Sequence, residues 1–242
     1  KGNYDTRNHE KPKADFAYSL KEISIKELAD NFMTVEKLAP IAKYATGKIS
    51  SNFAMKTDLT PNLDPIYNTL SGLGDFTANT VTISGFKPME KLGEVLSMNK
   101  LSSQTLKDVK TKFKFENGKV LVKPFTINYQ DIAIDISGTH GFDMSMDYNA
   151  TFMVPAKYLG NEVTGLLSKY SEQDVSKIKV PVTALVGGNF DKPTVTTDYK
   201  SAVSSLATQL VNVKKMENKG VNALTNLIKQ QTGNPTKTTT DS

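Results

Sequence analysis

Apolar and polar residues alternate with a period of two along most of this chain, interrupted by stretches of helical spacing, so it reads as strand, helix, strand three times over. Ala14 to Leu20 has the strand pattern, and Ile25, Leu28, Phe32, Val35, Leu38 and Ile41 then recur at helical intervals as far as Ala45. Pro40 has no amide hydrogen to give, so this helix is expected in two pieces, with Thr34 capping the second. Gly47 releases the chain into a strand over Lys48 to Asp58, in which Ile49, Phe53 and Met55 alternate with polar residues.

After the loop Thr60-Pro61-Asn62-Leu63-Asp64-Pro65, a second unit resembles the first at a shift of 60 residues: Asp15-Phe16 falls on Asp75-Phe76, Ile23-Ser24 on Ile83-Ser84, and Phe53 on Phe113. It is expected as a strand from Gly74 to Phe86, a helix opened by Pro88, and a strand from Leu106 to Glu116. Asn117 and Gly118 both tolerate positive φ and suit a tight hairpin turn into Val120, Val122, Phe125 and Ile127. Two further strands complete a four-stranded meander. Pro155, Leu159 and Gly160 repeat the spacing of Pro88, Leu92 and Gly93, which predicts a helix over Pro155 to Tyr170 that buries Tyr158, Leu159, Val163, Leu166 and Leu167. A strand over Lys177 to Thr197, interrupted at Gly187-Gly188, and a helix over 198–231, broken near Gly220, end the ordered pattern.

The expected fold is α+β but β-rich. It is an elongated, curved antiparallel sheet of repeated strand–helix–strand units, about 14–59, 72–129 and 130–199, with helices covering one face and the ends. Residues 1–13 are polar and aperiodic and read as a flexible arm. Residues 232–242 are low-complexity Thr, Asn, Pro and Lys and read as a disordered tail. Strands of 10 to 13 residues span roughly 35–40 Å, long enough for a trough. Its candidate lipid-facing lining is an apolar stripe of Ile132, Ile134 and Ile136 beside Met144, Met146, Tyr148, Phe152 and Val154. The same stripe also suits an ordinary core, with the sheet face packed on helices.

Composition narrows the chemistry. The 242 residues contain no Cys, which excludes thiolate catalysis, disulfides and sulfur-ligated metals. The net charge of +5 comes from 30 Lys and Arg scattered among 25 acids, without the basic run or aromatic interleaving of a nucleic-acid binder. Of the two histidines, His9 lies in the polar arm and His140, in Gly138-Thr139-His140-Gly141, reads as a solvated turn residue. Asp131, Asp135, Asp143 and Asp147 alternate on two strands without the compact loop that calcium requires, and read as a solvated outer face. Gly187-Gly188 lacks the lysine and helix start of a phosphate loop. No nucleophile, base and orienting partner assemble, so neither enzyme activity, a metal nor a cofactor is expected.

Phe16 to Ile23, the run TVEKLAPIAKYATG from Thr34 to Gly47, and Leu73-Gly74-Asp75-Phe76 opening the second unit resemble the C-terminal region of the AsmA family. Val180-Pro181-Val182, Gly187-Gly188-Asn189-Phe190-Asp191 and Lys192-Pro193-Thr194-Val195 are similar to that family's closing strand. The resemblance spans about Ala14 to Tyr199. It implies a periplasmic domain held in the inner membrane by an N-terminal anchor upstream of Lys1, with a role in outer-membrane biogenesis. The implied partner is phospholipid or another acyl-chain lipid moving along a hydrophobic β groove, with other envelope proteins as further partners. The alternative is a structural module of the envelope that docks through its sheet edges without lipid.

Overall fold

A computed structural model of the chain describes residues 2–96, 99–170, 172–175, 177–218 and 222–232. It is β-rich: ten strands form one open antiparallel sheet in chain order. They are β1 (Gly2–Asp5), β2 (Lys13–Ser24), β3 (Ala45–Asp58), β4 (Ser71–Ser84), β5 (Ser103–Glu116), β6 (Lys119–Tyr129), β7 (Ile132–Gly141), β8 (Ser145–Pro155), β9 (Lys179–Asn189) and β10 (Lys192–Thr197). The helices α1 (Ile25–Asn31) and α2 (Met33–Leu38) lie between β2 and β3, and α3 (Lys87–Val95) between β4 and β5. Between β8 and β9 come α4 (Asn161–Leu167) and α5 (Glu172–Val175), and after β10 come α6 (Tyr199–Glu217) and α7 (Ala223–Thr232). The chain divides into two compact units.

The first unit holds Lys1–Gln130, Ile134–Ala150 and Ala184–Thr196. The polar arm is not loose here: Gly2 to Asp5 pair with Phe16 to Lys13 as an edge strand, and Tyr4 sets its ring edge-on to that of Phe16 at 5.2 Å. In α1, Ser24 accepts the Glu27 amide hydrogen at 3.3 Å, a side-chain N-cap. The helical stretch breaks at Pro40, where a 3-10 turn over Pro40–Tyr44 begins. It also breaks at Phe32, which keeps extended dihedrals and caps α2 in place of Thr34, without a side-chain bond. Ile25, Ala29, Val35, Ala39, Ile41, Ala42 and Tyr44 of this insert pack with Phe76, Ala78, Val81 and Ile83 of β4 and Leu106 and Val109 of β5. A second cluster gathers Leu70, Phe115, Val120 and Phe142 with Leu38, Met55, Tyr67, Phe113 and Val122.

The inward alternation changes step along one line across the sheet. The register shifts between Leu20 and Ile23 of β2 and between Gly47 and Ser50 of β3. Glu22 and Asp108 both hold φ of 53°, the local signature of bulges. Gly47 has φ of 131°, and a Cβ there would sit 2.5 Å from the Thr80 carbonyl oxygen of the paired strand. Gly47→Ala is therefore expected to cost about 2 kcal/mol of stability through strain and a backbone clash, read as a lower urea midpoint with an unchanged m value.

The second unit holds Asp131–Ala133, Thr151–Thr183 and Thr197–Ser242. Pro155 is the last residue of β8 rather than the start of a helix. A 3-10 turn over Ala156–Tyr158 follows, and Gly160 at φ 93° precedes α4. Leu159, Val163 and Leu167 are buried as expected, but Tyr158 is exposed, its hydroxyl donating to Asp131 at 3.3 Å. The long closing helix is broken into α6 and α7, with Gly220 outside the described residues. Glu217 joins the two, accepting from the Tyr170 hydroxyl at 2.9 Å and from the Leu224 amide of α7 at 3.3 Å. The predicted tail beyond Thr232 lies outside the described residues.

Candidate functional site

The apolar stripe of β7 and β8 is interior. Ile132, Ile134, Met146 and Val154 are buried and Phe152 is wholly inaccessible at 0 %, while Ile136, Met144 and Tyr148 are half-buried. Met144 is not part of β8 but sits in the preceding turn with φ of 71°. Of the eight side chains of the stripe, five have the burial of packed core.

His140 is the largest departure from expectation. It lies within β7 at 5 % exposure rather than in a solvated turn, one of three buried polar side chains among the described residues, with Ser51 and Thr57. Its Nε2 is 3.0 Å from the Leu38 carbonyl oxygen and its Nδ1 is 2.8 Å from the Tyr148 hydroxyl. A carbonyl only accepts, so Nε2 carries the hydrogen and Nδ1 accepts from Tyr148. The Phe190 ring stands edge-on at 5.6 Å. Burial pushes the His140 pKa below its ordinary value, only partly offset by the Leu38 bond, and pushes the Tyr148 hydroxyl up. Both groups are thereby held neutral. With each ring nitrogen occupied, His140 ties the end of α2 to β7 and β8 and offers no free base for chemistry.

Asp131, Asp135, Asp143 and Asp147 are exposed, and the first three are held by local partners. Asp135 accepts from Thr126 at 2.5 Å and Asp143 from Ser145 at 2.6 Å. Asp131 is held by Lys157 at 2.9 Å, a contact that lowers its pKa. Among the described residues no three His, Asp or Glu side chains are placed to hold a metal, and no helix is long and apolar enough to cross a membrane. Gly187-Gly188 lies inside β9, and the turn to β10 falls at Phe190-Asp191. Gly188 has a φ of 82°.

The accessible apolar feature lies elsewhere. Following the register from the core, the face that carries Phe113, Phe115 and Val120 continues through Gly72 and Gly74 of β4 and Met55 and Phe53 of β3. It ends on Tyr18 and Phe16 of β2. There the rings form a chain: Tyr4 to Phe16 at 5.2 Å, Phe16 to Tyr18 at 5.9 Å, and Tyr18 to Phe53 at 5.3 Å. Tyr18 is 46 % exposed and Tyr4 more so, while Phe16 and Phe53 are half-buried. Gly74 is the gap in this row. A Cβ there would lie 2.6 Å from the Phe113 ring and 2.7 Å from Phe53, so its absence lets the two side chains close over the backbone. The result is an aromatic shelf, continuous with the core face and open at its outer end. In the sequence, Phe16, Tyr18 and Phe53 read as single strand positions, and only the pairing of Tyr18 with Phe53 unites them.

No known protein family, no curated protein and no solved structure matches this chain.

Proposed function

We propose that this chain is a non-enzymatic, AsmA-like periplasmic domain involved in outer-membrane biogenesis, holding or conducting phospholipid acyl chains on an apolar β surface. The observation that carries this reading is the shelf of Tyr4, Phe16, Tyr18 and Phe53, an uncovered extension of the face whose remainder is packed core. An acyl chain laid on it gains roughly 0.8 kcal/mol per methylene buried, and the two tyrosine hydroxyls leave a polar rim for a headgroup. The lining passes from the predicted stripe, which is enclosed, to the shelf. A repeated strand–helix–strand plan supports the family reading: β2 and β4 both end in Ile-Ser, both lead into a helical insert, and both return through a 14-residue strand. In this reading the inserts cover one face of the sheet.

Lipids extracted from the purified chain and identified by mass spectrometry test the proposal. Phospholipid is expected to accompany the wild type and to fall at least about tenfold in Tyr18→Asp/Phe53→Asp, since a buried charge costs more than the methylenes return. Absence of lipid from the folded wild type, or equal lipid in the double variant, rejects the reading. One observation favours a structural module instead: β1 pairs with only Lys13 to Phe16 of the twelve-residue β2. A concentration-dependent oligomer free of lipid would support docking at that edge.

A further inference from the structure

The opposite face of the same strands has a different chemistry. Between residues 103 and 123 the chain carries six lysines against two acids. Phe113, Phe115, Val120 and Val122 face the core, so alternation turns Lys110, Lys112, Lys114, Lys119 and Lys123 to the other side, where all are exposed. The register sets Leu73 of β4, Lys114 of β5 and Leu121 of β6 in one row across the strands. Both leucines protrude, Leu73 at 66 % and Leu121 at 36 % exposure. An open depression of about 320 Å³ is bordered by Lys114, Lys119 and Leu121. The acids near this face are few: Asp108 is exposed at the bulge, Glu116 accepts from Lys114 at 2.7 Å, and Asp75 accepts from the Asn52 side-chain amide at 3.3 Å. Lys110, Lys112, Lys119 and Lys123 make no ion pair among the described residues.

A surface of unpaired lysines calls for an anionic partner, and its two leucines decide which kind. Nucleic acid would be met by aromatic or arginine side chains that stack on bases, and this face has neither. Leucines projecting among lysines gain nothing from a phosphate backbone in water, but they gain apolar burial where headgroups meet acyl chains. We propose that the outer face of β4, β5 and β6 docks on an anionic phospholipid bilayer, its lysines among the headgroups and Leu73 and Leu121 entering the boundary beneath them. This goes beyond lipid holding by the shelf, since it uses the other face of the sheet and has a separate readout. A chain that binds vesicles but carries no lipid, or the reverse, distinguishes the two.

The test is co-sedimentation of the whole chain with phosphatidylcholine vesicles, with and without phosphatidylglycerol. Binding is expected only when phosphatidylglycerol is present, and is expected to weaken as salt rises. Lys110→Glu/Lys112→Glu/Lys123→Glu should weaken it about a hundredfold, and Leu73→Ser/Leu121→Ser about tenfold with the salt dependence kept. The triple Lys200→Glu/Lys214→Glu/Lys215→Glu on α6 removes the same charge from another surface and should leave binding nearly unchanged. Failure to bind anionic vesicles, equal binding to neutral ones, or equal loss in both triples overturns the proposal. So does indifference to the leucine change combined with displacement by single-stranded RNA.

Discussion

Replacing Phe152 by alanine should lower the unfolding free energy by about 3–5 kcal/mol, the loss typical of a large aromatic removed from a core that cannot collapse around the cavity. Phe152 is 0 % exposed and the largest of the fully enclosed side chains. Its removal therefore forfeits both transfer energy and packing on every side. Tyr18→Ala is the matched comparison. Its ring is 46 % exposed and lies tilted against the rings of Phe16 and Phe53 on its own face, so the expected loss is about 1 kcal/mol. Urea denaturation of both variants reads the difference directly. Equal losses would mean that the β8 stripe is as accessible as the shelf and would return it to the candidate lining. The contrast also governs the design of lipid experiments: a charge at Phe152 or Met146 unfolds the protein, whereas a charge at Tyr18 or Phe53 leaves the core alone.

Strand alternation carries much of the fold. It locates β3 to β8 to within a few residues, and Asn117-Gly118 turns between β5 and β6 with φ of 53° and 72° as its chemistry requires. Alternation says which residues share a face, however, and not what covers that face. The stripe of β7 and β8 and the shelf of β2 and β3 look alike in the sequence, yet one is enclosed and the other is open. β1 has no legible pattern because Gly2-Asn3-Tyr4-Asp5 contains a single apolar residue, and an edge strand needs no more than that. Gly187-Gly188 resembles an interruption because a positive φ calls for glycine inside a strand as readily as in a turn, and the strand runs on to Asn189. The change of step at Glu22, Gly47 and Asp108 has no compositional signal, since two of the three positive φ angles fall on acidic residues.

The burial of His140 is hidden for a related reason. Flanking Gly138 and Gly141 suggest a turn, but Gly138 instead makes room for Tyr148: a Cβ there would lie 2.7 Å from the Tyr148 ring. The ring can then reach along β7 to set its hydroxyl against Nδ1. The other partner, the Leu38 carbonyl, lies 102 residues away in the chain, a separation at which no local pattern operates. A long-range bond of this kind is specified by the whole packing arrangement, and its worth is visible only when it is broken.

His140→Ala should accordingly cost about 3 kcal/mol at neutral pH, because it leaves the Tyr148 hydroxyl and the Leu38 carbonyl without partners in a buried setting, in addition to a cavity. The pH dependence provides the sharper test. Folding depresses the His140 pKa, chiefly by desolvation, so the folded state favours the neutral ring while the unfolded chain takes up a proton near pH 6.5, roughly the ordinary value. The stabilisation from holding the ring neutral is complete above that pH. It declines as the pH falls toward the depressed folded value, at up to about 1.4 kcal/mol per unit for one proton. Wild-type stability measured by urea denaturation should therefore be flat from about pH 8 to 7 and begin to fall below roughly pH 6.5, above the range in which most carboxylates titrate. The alanine variant, less stable throughout, should lack that part of the slope. Protonation also gives Nδ1 a hydrogen that the Tyr148 hydroxyl must then accept, reversing the bond in a site too dry to solvate the charge. The first link to weaken on acidification should thus be the Tyr148 bond between β7 and β8, since the Nε2 hydrogen still reaches the Leu38 carbonyl in the charged ring. Hydrogen exchange at the β7 and β8 amides around His140 and Tyr148 should accelerate before exchange in β4 and β5. Parallel slopes in wild type and variant would show that His140 is hydrated in solution rather than enclosed.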